Sequence, residues 1–242
     1  MSLSLFPHPT PNSVSAISFA RLGGESKAPY HSLNVGLHVG DDSVAVMHNR
    51  QRIKEHLGIS LLASARQVHG DSVMVVDEMP GHDVEHDGHD ALITKLRGVG
   101  LMIQQADCQA VALYDPRQQA IGNIHAGWRG SVVNIVAKTV ANMTAAFGTR
   151  PADLLAGISP SLGPCCAEFV HFRDELPPSF HPYQVQGNHF DFWAISRDQL
   201  INSGLCQENI QIAGICTKCS LDYFSHRREK VTGRFATVVA MK

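Results

Sequence analysis

Short apolar runs broken by Gly, Asp and Pro fill the middle of the chain, and stretches with apolar positions at helical spacing flank them. Val14 to Phe19, Ala63 to Val68, Ser72 to Val76, Ala91 to Thr94, Gly100 to Gln104, Val111 to Tyr114 and Ala120 to Ile124 read as strands rich in Val, Ile and Leu. Leu154 to Ile158, Ile210 to Ile215 and Ala236 to Ala240 extend the set as buried strands. Val44, Met47, Ile53 and Leu57 recur at helical intervals behind Asp42-Ser43, which predicts a capped helix that Gly58 ends. The clearest helical stripe is Val132, Ile135, Val136, Thr139, Val140, Met143 and Phe147, with Ser131 as the expected N-cap and Gly148 as the stop. Trp193 to Ser203 predicts a further helix ending at Gly204. Phe6 to Asn12, with its prolines, reads as an irregular arm, and Leu22 to Pro29 as a loop.

Strand groups with helices between them suit an α/β (α+β) fold of layered mixed sheets covered by helices better than a strictly alternating parallel one. No linker, internal repeat or low-complexity tract divides the chain, so a single domain over residues 1–242 is expected. That length supports a substantial core without disulfide or metal staples.

Charge removes whole classes of partner. A formal net charge of -2, from 20 basic and 22 acidic residues, provides no basic field for nucleic acid. No apolar stretch approaches the roughly 20 residues of a membrane span, and Met1 to Asn12 lacks a signal-peptide plan, so a cytoplasmic protein is expected. The six cysteines, in a chain this long, are expected to be reduced thiols rather than a secreted-type framework.

Candidate chemistry gathers in three segments: Gln67-Val68-His69-Gly70, Ala106-Asp107-Cys108 and Ile124-His125-Ala126-Gly127-Trp128-Arg129-Gly130. His69, Cys108 and His125 are ligand types that zinc accepts, and three protein ligands with an open fourth position describe a catalytic metal site. Zinc held there would bring the pKa of a bound water to about 7. The same residues also fit a Cys-His hydrolase acting on an amide or ester, with Cys108 as nucleophile and His125 or His69 as base. A structural site completed by a fourth side chain, or simply a buried thiol with two hydrogen-bonded imidazoles, is the non-enzymatic alternative.

Arg129, Arg227 and Arg228 are the candidate anion binders, Arg129 because it precedes the clearest helix, and a solvated or ion-paired arginine is the plain alternative. Asp107 is a candidate acid/base and Trp128 a candidate for stacking or packing. Cys216-Thr217-Lys218-Cys219 has C-x-x-C spacing and Cys165-Cys166 offers two more thiols, but one such pair needs a second, or a helix N-terminus, to be persuasive. Structural thiols are the expectation for all four. His82, His86 and His89 lie in a Gly/Asp-rich stretch read as a solvated loop.

In order along the chain, Ser32-Leu33-Asn34, His38-Val39-Gly40-Asp41-Asp42, Gln67-Val68-His69-Gly70, Asp90-Ala91-Leu92-Ile93-Thr94, Ala106-Asp107-Cys108 and His125-Ala126-Gly127-Trp128-Arg129-Gly130 form a series. Pro160-Ser161-Leu162-Gly163-Pro164-Cys165-Cys166, Cys216-Thr217, Phe224-Ser225-His226-Arg227-Arg228 and Gly233-Arg234 continue it. This series resembles the YfiH-type, laccase-domain or multicopper-polyphenol-oxidase-like family over nearly the whole chain. The resemblance implies a layered α/β fold shared at superfamily level with cysteine hydrolases, and a zinc site at His69, Cys108 and His125. It further implies purine nucleoside chemistry: phosphorolysis of adenosine, inosine, guanosine and methylthioadenosine, and deamination of adenosine. Purine nucleosides and phosphate are then the small-molecule partners, with Asn34, Arg129 and Arg227 as candidate substrate or phosphate contacts and Cys108, His125 and Asp107 as candidate catalytic residues.

Copper-dependent polyphenol oxidation is the weaker chemistry, since a multicopper cluster needs many more paired histidines, although Cu²⁺ binding in vitro is expected at an N/S site. Gln109-Ala110 after Cys108, Ala167 after the double cysteine, and Ala20-Arg21 depart from the family pattern.

Overall fold

Two six-stranded mixed sheets face each other across one apolar core, and helices cover their outer faces. The computed structural model describes residues 2–8 and 10–242, so Pro9 of the proline-rich arm lies outside the described residues. The strands in chain order are β1 (Ser2–Ser4), β2 (Val14–Phe19), β3 (Leu61–Arg66), β4 (Val73–Val76), β5 (Val84–Asp87), β6 (Ala91–Thr94) and β7 (Val99–Gln105). They continue as β8 (Gln109–Asp115), β9 (Ala120–Ala126), β10 (Leu155–Ile158), β11 (Gln184–Gln186), β12 (His189–Phe190), β13 (Ile210–Ile212) and β14 (Phe235–Met241). The helices are α1 (Ser43–Leu57), α2 (Trp128–Val132), α3 (Ile135–Phe147), α4 (Phe172–Glu175), α5 (Phe192–Asn202) and α6 (His226–Glu229).

The first sheet runs β1-β2-β14-β7-β3-β5, antiparallel up to β7 and parallel beyond it. The second runs β13-β10-β8-β9-β6-β4, with parallel pairs only at its two edges. β7, β8 and β9 are buried on both faces, which is why they read as continuous apolar runs instead of alternating ones. Leu101, Ile103, Ala112, Tyr114, Ile121 and Val239 fill the space between the sheets. Buried Asn123 of β9 donates to Leu101 O and Thr237 O of the facing sheet, a polar tie that pins the two sheets in one register.

The α1 helix buries Ile53 and Leu57 against Leu62, Met102 and Val238, and each such side chain contributes about 1.5–3 kcal/mol by leaving water. Asp42 caps it by accepting the Val44 N–H at 3.0 Å, and Gly58 closes it with φ 65. The apolar stripe of α3, joined by α5, covers the outer face of the second sheet.

Three expectations need correction. Ser131 does not cap α3: it lies inside the short α2, and Asn134 (φ 56) caps α3 by accepting the Ala137 N–H. Arg129 therefore sits in a separate turn, away from the start of the long helix. The stretch around His82, His86 and His89 is not wholly loop, because Val84 to Asp87 pair in parallel with β3 and Glu85 meets Arg50 of α1 at 3.0 Å. The strand expected to reach Ile215 stops at Ile212 just before Gly214 turns the chain at φ 66. The described residues of the Phe6 to Asn12 arm are irregular as expected, and a short β1 ahead of it pairs with β2. Among the described residues no helix is long and apolar enough to cross a membrane.

Candidate active site

Three loops at one end of the sheets converge on a single point. His69 follows β3, Cys108 occupies the tight β7–β8 turn, and His125 is the penultimate residue of β9. Because β8 and β9 are antiparallel neighbours with Ala110 opposite His125, the turn carrying Cys108 lies beside the end of β9. One ligand atom from each of His69, Cys108 and His125 lies within 4.8 Å of the other two. Cys108 Sγ is 3.8 Å from His69 Nε2, and the two imidazoles meet edge to face with centroids 4.8 Å apart.

The backbone is bent to achieve this. His69 and Asp107 both have positive φ, 61 and 89, which non-glycine residues adopt only when surroundings repay the strain. At His69 the repayment is visible. The successive N–H groups of Val68, His69 and Gly70 all donate to the carboxylate of Asp90, at 3.2, 2.9 and 2.7 Å. Asp90, fully buried at the head of β6, also accepts from His125 Nδ1 at 2.8 Å, and its carbonyl accepts the His125 N–H at 2.6 Å. One carboxylate thus orients both imidazole-bearing segments and turns His125 Nε2 toward Cys108. Gly127 completes the fit by its lack of a side chain, since a Cβ there would lie 2.8 Å from His69 Cδ2 and 3.1 Å from Cys108 Sγ.

Electrostatics follow the geometry. Burial opposes ionisation of Cys108, but His125 and His69 outweigh it and hold the thiol at about 6. Burial likewise pushes His125 down, yet Cys108 and Asp90 raise it to about 9. Burial works against the charge on Asp90 too, and the bonds from His125, Gly70 and His69 keep it below the usual carboxylate range. Two imidazoles and a thiol drawn toward thiolate, braced by an outer carboxylate, are a group that could hold a metal ion.

The group opens on a cavity of about 590 Å³. Leu162, Phe169, Phe192 and Trp128 form an apolar wall, while Arg66, Arg227, Arg234, His38 and Gln104 bring polar and positive groups to the rest. Ala167 and Gln109, two of the departures from the family pattern, both line it.

The other candidates separate. Asp107 lines the cavity, but its carboxylate is engaged: Oδ1 accepts from Thr217 Oγ1 at 2.7 Å and Oδ2 from the Arg227 N–H at 2.6 Å. Arg227 reaches the cavity and donates through Nη1 to Glu168 O. Arg129 is exposed, stacks on Trp128 at 4.2 Å and is not among the lining residues. Asn34 is fully buried and is also absent from the lining. It accepts the N–H groups of Gly36 and Arg234 and donates to Asp41, so it holds lining residues in place. Arg228 instead folds a nearby turn by donating to Thr217 O, Lys218 O and Ser220 O.

Sequence reasoning passed over Asp90 and Arg234 as site residues. Asp90 stood in the open as the acidic residue heading an apolar strand, a place where an unpaired charge would be costly. Arg234 had no local signal beyond its Gly-Arg dipeptide.

A layered α/β protein with a braced His-Cys-His group lining a cavity is, by class, a candidate metalloenzyme. The chain belongs to the family described as multi-copper polyphenol oxidoreductase laccase, whose model matches residues 15–242. It is 34% identical over 239 residues to purine nucleoside phosphorylase YlmD of Geobacillus stearothermophilus, covering 91% of this chain and 87% of that protein. It is 36% identical over 246 residues to a purine nucleoside phosphorylase of Xylella fastidiosa, covering 95% and 93%. Among solved structures it matches Bacillus licheniformis hypothetical protein YfiH with TM-score 0.86 and 30% identity, covering 96% of this chain and 94% of that one. Geobacillus stearothermophilus YlmD also matches with TM-score 0.86, at 29% identity over 99% and 100%.

Proposed function

We propose that this chain is a zinc-dependent purine nucleoside phosphorylase that also deaminates adenosine, with His69, Cys108 and His125 as the metal ligands. The observation that carries the reading is the cavity itself. It combines the His-Cys-His group with an apolar wall suited to a purine and with arginines suited to phosphate, in a volume of the size that small-molecule sites occupy. The relatives' names as purine nucleoside phosphorylases support the same substrate class.

In phosphorolysis, a phosphate oxygen forms a bond to the ribose C1′ as the bond from C1′ to the purine nitrogen breaks. The base leaves with that electron pair and takes up a proton. Arg227, with Arg234 and Arg66 also lining the cavity, holds the phosphate, because a guanidinium offers a bidentate fork to its oxygens. Phe169 and Trp128 bound the apolar side on which the base stacks. Asp107 holds the Arg227 backbone in place through its short hydrogen bond, and Asp90 fixes the ring of His125. Zinc, when bound, supplies Lewis-acid chemistry at a substrate oxygen or water. Adenosine, inosine, guanosine and methylthioadenosine are the proposed substrates, and in the deamination a water oxygen bonds to the purine C6 of adenosine as the C6–N bond breaks and the amine leaves as ammonia. A reducing cytoplasm suits the six free cysteines.

The test is to incubate metal-analysed protein with adenosine, with and without phosphate, and to follow adenine, ribose 1-phosphate and inosine. Adenine and ribose 1-phosphate that require phosphate, together with inosine that does not, are expected, and all are lost in Cys108→Ser. Absence of every product from folded, zinc-loaded protein sinks the assignment.

One observation favours a second reading. Cys108, His125 and Asp90 lie in the order of a thiol nucleophile, base and orienting carboxylate, as a Cys-His hydrolase requires. Rapid alkylation of Cys108 in metal-loaded protein would bring that reading forward. For copper-dependent polyphenol oxidation the donor inventory is short. Among the described residues the second metal-capable group contains no histidine.

A further inference from the structure

The β10 and β13 strands are parallel neighbours at one edge of the second sheet, so the chain leaves both in the same direction. Their pairing continues past the strands. Ser161 donates to Ile215 O at 3.1 Å, Thr217 donates back to Ser161 O at 3.0 Å, and Ser161 bridges Cys216. This extension carries Cys165-Cys166 from one turn against Cys216 and Cys219 from the other. The four sulfurs lie within 4.8 Å of one another. Cys219 Sγ is 3.7 Å from Cys165 Sγ and 3.5 Å from Cys166 Sγ.

We propose that Cys165, Cys166, Cys216 and Cys219 form a tetrathiolate site for zinc, separate from the His-Cys-His group, that clamps the turn after β10 to the turn after β13. Four ligands at the usual Zn–S distance of about 2.3 Å define a tetrahedron with edges of about 3.8 Å, close to the observed sulfur separations. All-sulfur ligation suits zinc, and hard cations such as Mg²⁺ or Ca²⁺ prefer oxygen.

The turn is also prepared for the purpose. Arg228 takes up the carbonyls of Thr217, Lys218 and Ser220, while Ser220 N–H closes the turn onto Cys216 O at 2.9 Å. Gly163 packs directly against Cys216. Gly163 is needed for that approach, since a Cβ would lie 3.0 Å from Cys216 Cβ and 2.7 Å from Trp193.

The clamp has a structural consequence for the cavity. Leu162, Ala167 and Phe169 of its wall flank one cysteine pair, and Thr217, which holds Asp107, lies inside the other. The β13 edge strand is only three residues long, too short to secure these turns by ladder hydrogen bonds alone.

The test uses the full chain, purified anaerobically, with zinc as the probe and readouts independent of nucleoside turnover. Metal analysis should find about two zinc ions per chain, falling to about one in a Cys165→Ser/Cys219→Ser variant and to about one in His69→Ala/His125→Ala. Cobalt loaded into the histidine-deficient variant should show the intense sulfur-to-metal bands of a tetrahedral thiolate site. Should the cysteine variant fold poorly, the histidine variant carries the test alone. About one zinc in the wild type and none in the histidine variant overturns the proposal. So does a disulfide among these cysteines, or prompt alkylation of all four in zinc-loaded protein.

Discussion

Cys108 and the four clustered cysteines use one side chain toward opposite ends. Cys108 sits between two imidazoles backed by Asp90, and its thiol is held at about 6 although burial works against it. In the cluster the neighbours are other sulfurs. Burial and adjacent thiols push Cys165 up to about 11 and raise Cys166 as well, and Cys216 is drawn down, against burial, by backbone N–H groups. A metal held by the proposed two imidazoles and one thiolate would keep a fourth coordination position open for chemistry. Four thiolates crowd negative charge that needs a divalent cation, and a site so filled has no position left for a substrate. The first region faces a cavity, and the second ties two turns behind that cavity's wall.

Removing a ligand should separate the regions most sharply. Cys108→Ser is expected to lower kcat/KM for phosphorolysis by more than about a hundredfold, beyond the ~10–100-fold typical of an outer partner, with the melting temperature little changed. A large fall in melting temperature with activity per folded molecule retained would reverse the roles assigned to the two regions.

Asp90→Asn should follow, with a loss of about 10–100-fold in zinc affinity or activity, because the His125 ring and the His69 backbone lose their charged acceptor. Zinc titration and steady-state kinetics check this, and wild-type values would show that neighbouring carboxylate support is dispensable.

The pH response of the thiols is a finer contrast. In metal-free protein the thiolate of Cys108, its pKa depressed, is populated above about pH 6 and lost as pH falls below it. Iodoacetamide should therefore label Cys108 at near-constant rate from neutral pH down to about 6 and progressively less below. Cys165, its pKa raised, should stay slow until about pH 11. Parallel pH profiles for the two, read by mass spectrometry, would erase the distinction.

The smallest expected effect is at Arg129. Exposed and outside the cavity lining, it should tolerate Arg129→Ala with stability changed by less than about 0.5 kcal/mol and little change in the KM for phosphate. Arg227→Ala should raise that KM several-fold, and equal effects at the two positions would place the phosphate elsewhere.

Much of this was legible before folding. The apolar runs named the central strands because β7, β8 and β9 are buried on both faces, and Asp42 and Gly58 announced the ends of α1. His69, Cys108 and His125 were legible because ligand chemistry is a property of residue type, and glycines beside the histidines marked places of close approach. The two edge strands of the first sheet, β1 and β5, were not. The β5 strand pairs through its backbone while Glu85 answers Arg50 of a distant helix, and no local alternation records either fact.

What the sequence by itself determined was the inventory: layered strands and helices, three ligand-type side chains, two pairs of thiols and three candidate arginines. What only the tertiary structure decided was proximity. Asp90 serves both histidine segments because β6 lies beside β9 and the bend after β3 brings three N–H groups to it. Arg129 faces away although Arg227 faces the cavity, and two cysteine pairs some fifty residues apart meet because their strands are parallel neighbours. Spacing along a chain sets local geometry through backbone sterics, whereas distances between remote side chains follow from strand pairing and burial, which act across the whole fold.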